Sequence, residues 1–218
     1  VAIASPATFE REDDCLAILA QTNAAPTVAA ALRALAHLST ERSVPILQPY
    51  LSSAEWGDLA RGALETLNHP SAAAALRQAA ETAAGGLLAG LFDSLGRRRD
   101  ADAVPLAARH LRDADPEVAA AAARALARIA NEPAIEALIQ AASEDGPALP
   151  PHLADALCTA ADEALRRGAS LQLAARALTP LERASPPPHL LGPLLRLRGE
   201  ARPDTDIGTV LETIPHPA

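Results

Sequence analysis

The residue types that most often bind metals or perform catalysis are few and scattered in this chain. Histidine occurs six times and cysteine twice, at His37, His69, His110, His152, His189 and His216 and at Cys15 and Cys158. A zinc site normally shows a local ligand spacing, and no two of these histidines share a helical face within five residues. We therefore expect histidines at helix ends or on the surface, two buried free thiols, and no metal site.

Two pairs of neighbouring carboxylates could in principle perform acid–base chemistry. They are Asp13–Asp14 and Glu144–Asp145. General acid–base catalysis would need one carboxyl of a pair to be desolvated, whereas both pairs fall near helix starts or in loops, where carboxylates complement the helix dipole. The chain also lacks a glycine-rich phosphate loop, a serine nucleophile elbow and a dinucleotide fingerprint. We therefore expect that the chain has no catalytic residue, binds no cofactor and is not an enzyme.

The one dense basic run is Arg97–Arg98–Arg99. Its position predicts a loop between two helices, and Arg109 and Arg112 follow on the next helix. In such a loop the arginines could contact an anion or an acidic peptide, or they could be solvated beside carboxylates close in sequence, such as Asp100 and Asp102. We favour the second interpretation.

Composition narrows the fold and the partners. The 218 residues are 49% hydrophobic but only 2% aromatic, and alanine and leucine supply most of the apolar content. Both favour helices, and small side chains suit thin stacked layers better than one thick core.

The net charge of -8 argues against a surface that binds nucleic acid or an anionic membrane. No apolar run reaches the roughly 18 residues of a membrane span. Because the chain lacks an initiator methionine, we expect an excised or processed piece.

An internal repeat organises the chain. Apolar pairs three residues apart, which lie on one helical face, end at Leu38, Leu67, Leu95 and Ile129, so that the steps are 29, 28 and 34 residues. A less regular fifth copy spans 152–168. A second segment follows each of the first four copies and carries a proline near its start, at Pro45, Pro70, Pro105 or Pro133. Proline is tolerated in the first turn of a helix. Each unit is therefore predicted to be helix, turn and proline-started helix, with Asp115 as the N-cap of the fourth unit.

Two short helices cannot bury both faces alone, so the units are expected to stack. Residues 96–142 resemble two adjoining HEAT-type repeats of the phycobilin-lyase-like class, carried by Gly96, Val104–Pro105, Asp115–Pro116, Leu126 and Ile129. The resemblance implies an all-α, right-handed α-α superhelix, a HEAT-like solenoid of about five to six two-helix repeats. Ala119 stands where that class usually has arginine, so the Asp–Arg ladder between repeats is absent at that step.

A narrower likeness concerns residues 41–168, which are similar to HEAT modules in exported multidomain proteins of planctomycetes and verrucomicrobia. It implies an exported or periplasmic location, and such modules share no common activity. We expect a single HEAT-like repeat domain over 1–218. Its clearest repeats span 25–168, and 169–218 form a degraded terminal repeat or cap. Helices are expected at 171–184, 189–201 and 206–214, with a kink at Gly192–Pro193 in the second of them.

Three functions remain open at this point. The first is a non-catalytic interaction or scaffold module that presents a concave helical surface to a protein or peptide, or to adjacent domains of the same polypeptide. The second is an enzyme-like HEAT protein such as a bilin lyase or an alkylpurine DNA glycosylase, and the third is a structural spacer in a larger exported protein. The oligomeric state is open. The residues expected to face a partner are Gln48, Tyr50, Trp56, Arg77, Gln78, Arg109 and Gln140.

Overall fold

The computed structural model describes residues 9–21, 24–144, 149–184 and 187–201, and every regular element in these ranges is helical. The α-helices are α1 (Glu12–Gln21), α2 (Ala25–Leu38), α3 (Val44–Leu47), α4 (Gly57–Thr66), α5 (Pro70–Ala80), α6 (Gly85–Arg98), α7 (Val104–Arg109), α8 (Pro116–Ile129), α9 (Glu132–Glu144), α10 (Pro151–Arg166), α11 (Leu171–Arg183) and α12 (Leu191–Ala201). Short 3₁₀ turns flank α3 on both sides and precede α7 and α12. The predicted all-α class is confirmed.

The chain divides into two compact units, Val1–Arg98 (unit 1) and Arg99–Ala218 (unit 2). In unit 1 the first helices of successive repeats, α2, α4 and α6, pack side by side, and α5 packs against both α4 and α6. The segment around α3 packs against α4 and α5. Leucines and one phenylalanine fill this layer, and Leu32, Leu64, Leu76 and Phe92 are completely buried. The single domain over 1–218 stays a prediction.

Unit 2 repeats the same two-layer arrangement. The first helices α8, α10 and α12 pack in sequence, as do the second helices α7, α9 and α11. Helix α8 is buried on most of its circumference, and six of its nine buried residues are alanine. Because alanine projects little from the helix surface, neighbouring helices contact α8 closely without needing a wide core. This packing is the stacking of thin helix pairs that the repeats predict.

The predicted helix starts are confirmed. Helix α5 begins at Pro70, and Pro45, Pro105 and Pro133 are the second residues of α3, α7 and α9. Asp115 caps α8, since its carboxylate accepts a hydrogen bond from the Glu117 N–H at 2.9 Å.

The C-terminal region agrees with the sequence analysis in part. Helix α11 is confirmed. Helix α12 begins at Leu191, so Gly192 and Pro193 lie in its first turn, where a proline needs no intrahelical partner. The expected kink at Gly192–Pro193 stays a prediction. The segment 206–214 lies outside the described residues.

The arginine run is not a loop. Arg97 and Arg98 form the end of α6, and the chain leaves the helix through Arg99, whose φ of 54° is left-handed. The Arg98 guanidinium reaches the carboxyl end of α4. Its Nη1 donates to the carbonyl oxygens of Leu64 at 2.9 Å and Leu67 at 2.6 Å. It also bonds the carbonyls of residues 65 and 69 at 2.9 and 3.2 Å. Carbonyls in the last turn of a helix have no intrahelical donor, so Arg98 supplies one.

The same device recurs at two other first helices. In unit 2, Arg167 follows α10 and donates to the carbonyls of Ile129, at 2.6 Å, and Arg128 at the end of α8. In unit 1 the Thr66 hydroxyl donates to the carbonyl of Ala36 near the end of α2, at 2.7 Å. We call Thr66, Arg98 and Arg167 the carbonyl clamps. They tie neighbouring repeats to one another.

Carboxylates of helix α1 bond to the turn that follows α2, where Asp13 pairs with Arg42 at 2.9 Å and Glu12 makes several hydrogen bonds. Glu12 accepts hydrogen bonds from the Thr40 N–H at 2.8 Å and from the buried Ser43 hydroxyl at 2.5 Å. Burial acts to raise the pKa of Glu12, but the bonds from Ser43 and Thr40 and the charge of Arg42 outweigh it. The pKa therefore lies below its ordinary value of 4.5.

We predict that Arg98→Ala lowers the free energy of unfolding by about 2 kcal/mol, because several helix-end carbonyls lose their donor in a part-buried site. Urea unfolding followed by circular dichroism measures the change. Arg33→Ala, which removes an exposed arginine of α2, is the matched control and should stay within about 0.5 kcal/mol of wild type. Equal effects of the two substitutions would show that the clamp contributes no stability.

We predict that Glu12→Gln destabilises the fold near neutral pH and that this difference from wild type shrinks as the pH falls. A lowered folded-state pKa gives stability that is present above pH 4.5 and is lost as the pH drops through the folded-state value. Urea midpoints across this range measure it, with the exposed Glu10→Gln as control. A gap that is constant with pH would contradict the assigned role of the ionised carboxylate.

Candidate functional site

Unit 1 carries a groove between the turn that follows α3 and the end of α5. Gln48 comes directly after buried Leu47, and Gln78 is two residues beyond buried Leu76, so both amides point away from the core. The Gln48 Nε2 donates to the Gln78 Oε1 at 2.8 Å, and the two amides meet across the groove. The groove, of about 420 Å³, is lined by Gln48, Leu51, Ser52, Gln78, Ala79, Thr82, Ala83, Ala84 and Leu87. We call it the amide groove.

Unit 2 carries a groove of about 300 Å³ at the equivalent place, between α7 and α9. It is lined by Ala108, Arg109, Leu111, Arg112, Ala137, Gln140 and Ala141. Its floor consists of alanines and Leu111, while Arg109 and Gln140 stand exposed at the rim. The Arg112 Nη2 donates to the Ala141 carbonyl at 2.9 Å, which holds that guanidinium across the groove. We call it the arginine groove.

Four of the seven residues expected to face a partner line these grooves. Gln48 and Gln78 meet in the amide groove, and Arg109 and Gln140 both line the arginine groove. Arg77, beside Gln78, is half-buried and lines neither groove. That these five residues bind a partner stays a prediction.

The single tyrosine and the single tryptophan are not brought into either groove. Tyr50 lies half-buried in the 3₁₀ turn after α3, and Trp56 lies half-buried just before α4. The backbone N–H of Trp56 donates to the Ser53 hydroxyl at 3.1 Å, which fixes the turn that starts α4. Their role as interface anchors also stays a prediction.

Sequence reasoning missed the groove floors, and it did not place Arg112 among the residues that face a partner. Arg112 is three residues after Arg109, a spacing that turns two side chains toward one side of a helical segment. That spacing groups the two arginines, but it does not by itself show that they line a groove. The floor alanines gave no comparable signal, because alanine is frequent on every face of these helices.

Several histidines pair singly with carboxylates. His69 lies 2.8 Å from Glu41, and His110 lies 2.8 Å from Asp113. The pKa of Asp113 is below its ordinary value because its carboxylate accepts the Asp115 N–H and bonds to His110. Within the ranges that the structure covers, no group of three His, Cys, Asp or Glu side chains is placed to hold a metal ion. His216 lies outside the described residues.

Three nucleophilic side chains, those of Ser94, Cys15 and Cys158, are buried. Ser94 accepts a hydrogen bond from Arg61 at 2.9 Å and donates one to Glu65 at 2.8 Å, but it is completely inaccessible to solvent. Cys15 and Cys158 are buried free thiols, and burial raises the pKa of each. A raised pKa disfavours the thiolate, which is the reactive form of cysteine. The hydrogen bonds of the buried Ser94 to Arg61 and Glu65 have a structural role, since they join α6 to α4.

None of the described helices combines the length and apolar character needed to cross a membrane. Comparison with known families adds a further finding. The family model of HEAT repeats matches residues 73–150, from within α5 to just before α10. That of the PBS lyase HEAT-like repeat matches residues 28–53, which include α3 and most of α2.

HEAT repeats are thus detected in both units, and the confirmed fold class is the all-α solenoid that such repeats form. The lyase-like match falls on 28–53, whereas the sequence analysis placed that likeness at 96–142. No curated protein matches the chain. The narrower likeness to exported multidomain proteins therefore stays a prediction.

Proposed function

We propose that this chain is a non-catalytic interaction module that binds a protein or peptide partner along its second helices. The observation that carries the proposal is the pair of grooves at equivalent places in the two units. Each has a floor of small apolar side chains and a rim of amide, hydroxyl or guanidinium groups. Solenoids of stacked helical repeats characteristically bind through surfaces of this kind.

The chemistry of the rims suits a polypeptide. An amide side chain both donates and accepts hydrogen bonds, so Gln48, Gln78 and Gln140 can pair with the N–H and C=O groups of a bound backbone. The alanine floors leave room for side chains of the partner. Adjacent domains of the same polypeptide, in an exported protein, are one source of such a partner.

We predict that a photo-reactive benzoylphenylalanine at Gln78 or Gln140 captures a partner polypeptide in cells that express the full chain. Both residues are exposed on second helices at the grooves. Mass spectrometry of the cross-linked products identifies the captured chain. The same group at Arg33 or Arg124, which are exposed on the first helices α2 and α8, is the matched control and should not capture that polypeptide.

Capture of the same polypeptide at Arg33 or Arg124 but not at the groove positions would place binding on the first helices and contradict the proposal. Capture at none of the four positions would contradict it as well, and would favour a structural spacer.

The lyase-like match over residues 28–53 favours a second candidate, a protein that handles a bilin. A conjugated tetrapyrrole is large and flat, and the amide groove lined partly by that segment contains no aromatic side chain. We predict no shift of the bilin absorbance spectrum when free bilin is mixed with the protein, with a bilin-binding protein as positive control. A red shift together with a covalent adduct would replace the interaction module with the lyase.

A further inference from the structure

The amide groove of unit 1 is built from uncharged side chains. Its lining consists of two glutamines, a serine, a threonine, two leucines and three alanines. Charged residues make up 21% of the chain, but Arg77 and Glu81, which stand near Gln78 in the sequence, do not line the groove. A charged side chain that entered the groove would lose water without gaining a counter-charge from this lining, which is unfavourable.

The hydroxyl groups of the lining donate to backbone carbonyls within their own turns. Ser52 Oγ donates to the Pro49 carbonyl at 3.1 Å, and Thr82 Oγ1 donates to the Ala79 carbonyl at 3.4 Å. A hydroxyl has one O–H donor, so each of these two keeps only acceptor lone pairs for a ligand. The donors that the lining side chains offer to a ligand therefore come from the glutamines.

The two glutamines keep both an acceptor and donors. The bond from Gln48 Nε2 to Gln78 Oε1, at 2.8 Å, uses one of the two N–H groups of the Gln48 amide. Within the ranges that the structure covers, it is the one side-chain hydrogen bond of either amide. The Gln48 Oε1 can therefore accept from a ligand, and the Gln78 Nε2 can donate to it.

An acceptor and a donor side by side match the edge of an extended peptide segment. Along one edge of a strand, every second residue presents its N–H and its C=O together. The N–H of such a residue fits Gln48 Oε1, and its C=O fits Gln78 Nε2. A helix uses these backbone groups for its own hydrogen bonds, so it does not offer them to a groove.

We propose that the amide groove binds an extended, uncharged segment of the partner through its backbone, an inference that rests on the proposed function. Gln48 and Gln78 bond to the N–H and C=O groups of one residue, as in the addition of a strand to a sheet edge. Because side chains of a strand alternate between two faces, every second one lies over the leucines and alanines of the groove. The uncharged lining selects against acidic and basic side chains at these positions.

Fluorescence anisotropy with the full chain tests this proposal. The probe is a fluorescein-labelled peptide of alternating Val and Thr, with Gly-Ser ends and blocked termini. A matched probe carries methyl groups on its central peptide nitrogens, which removes their N–H donors, and the unmethylated probe should bind about tenfold more tightly.

Two charged probes test the selection against charge. They carry Glu, or Lys, in place of each central residue, and each should bind about tenfold more weakly than the uncharged probe. The measurement is made at about 300 mM salt, which screens the net charge of the chain.

Substitution of the glutamines locates the site. Gln78→Leu removes the donors at similar size and should weaken binding of the unmethylated probe about tenfold. In Gln48→Leu the methylated and unmethylated probes should bind equally well, because the acceptor for the peptide N–H is gone. Gln172→Leu, the same change at an exposed glutamine of α11 in unit 2, is the matched control and should leave the affinity unchanged.

Four outcomes would overturn the proposal. They are equal losses in Gln78→Leu and Gln172→Leu, equal affinity of wild type for the methylated and unmethylated probes, a charged probe that binds as tightly as the uncharged one, and no binding of any probe. Cross-linking at Gln78 and Gln140 that persists in these cases would preserve the interaction module and remove only the extended, uncharged ligand. Its loss would remove the interaction module as well.

Discussion

The carbonyl groups at the ends of three first helices, α2, α4 and α8, set a constraint on which the packing of neighbouring repeats depends. A helix leaves its last carbonyls without intrahelical donors, and here a neighbouring repeat packs over them. A buried acceptor without a donor costs about 1–3 kcal/mol, a large part of the net stability of a typical domain. Arg98 and Arg167 supply donors to part-buried carbonyls at two such ends, and Thr66 bonds to an exposed one, so packing between repeats and hydrogen bonding at helix ends depend on the same side chains.

Alanine and arginine have complementary roles in this arrangement. Alanine-rich helices such as α8 can lie close together, but their methyl groups reach little beyond the helix and make no hydrogen bonds. The planar guanidinium has several donors on a long stem, so Arg98 contacts four carbonyls at once. The same pairing of small apolar floors with long polar rims recurs in the two grooves, where it produces a surface open to a ligand.

Features set by near neighbours in sequence were predictable, and features set by the next repeat were not. Pro70 and Asp115 reveal helix starts because their effects act within two or three residues. Arg98 looked like part of a solvated loop, since its four acceptors lie 29 to 34 residues earlier and no local pattern marks them. The polar residues of the grooves were found because they break the apolar periodicity, but Gln48 meeting Gln78 across 30 residues depends on how two repeats stack.

The carbonyl clamps share a direction along the chain. Thr66, Arg98 and Arg167 each belong to a later repeat and bond to carbonyls of an earlier one. During synthesis from the amino terminus, about thirty further residues must be made after the end of α4 before Arg98, its hydrogen-bond donor, is present. The hydrogen bonds at the end of α4 are therefore formed only after part of the next repeat has been made. The order of the repeats therefore has a direction, because each of these repeats depends on the one that follows it. Cutting the chain between α4 and α6 would leave the carbonyls at the end of α4 without their donor on the amino-terminal piece. Arg98, on the other piece, would lose its acceptors.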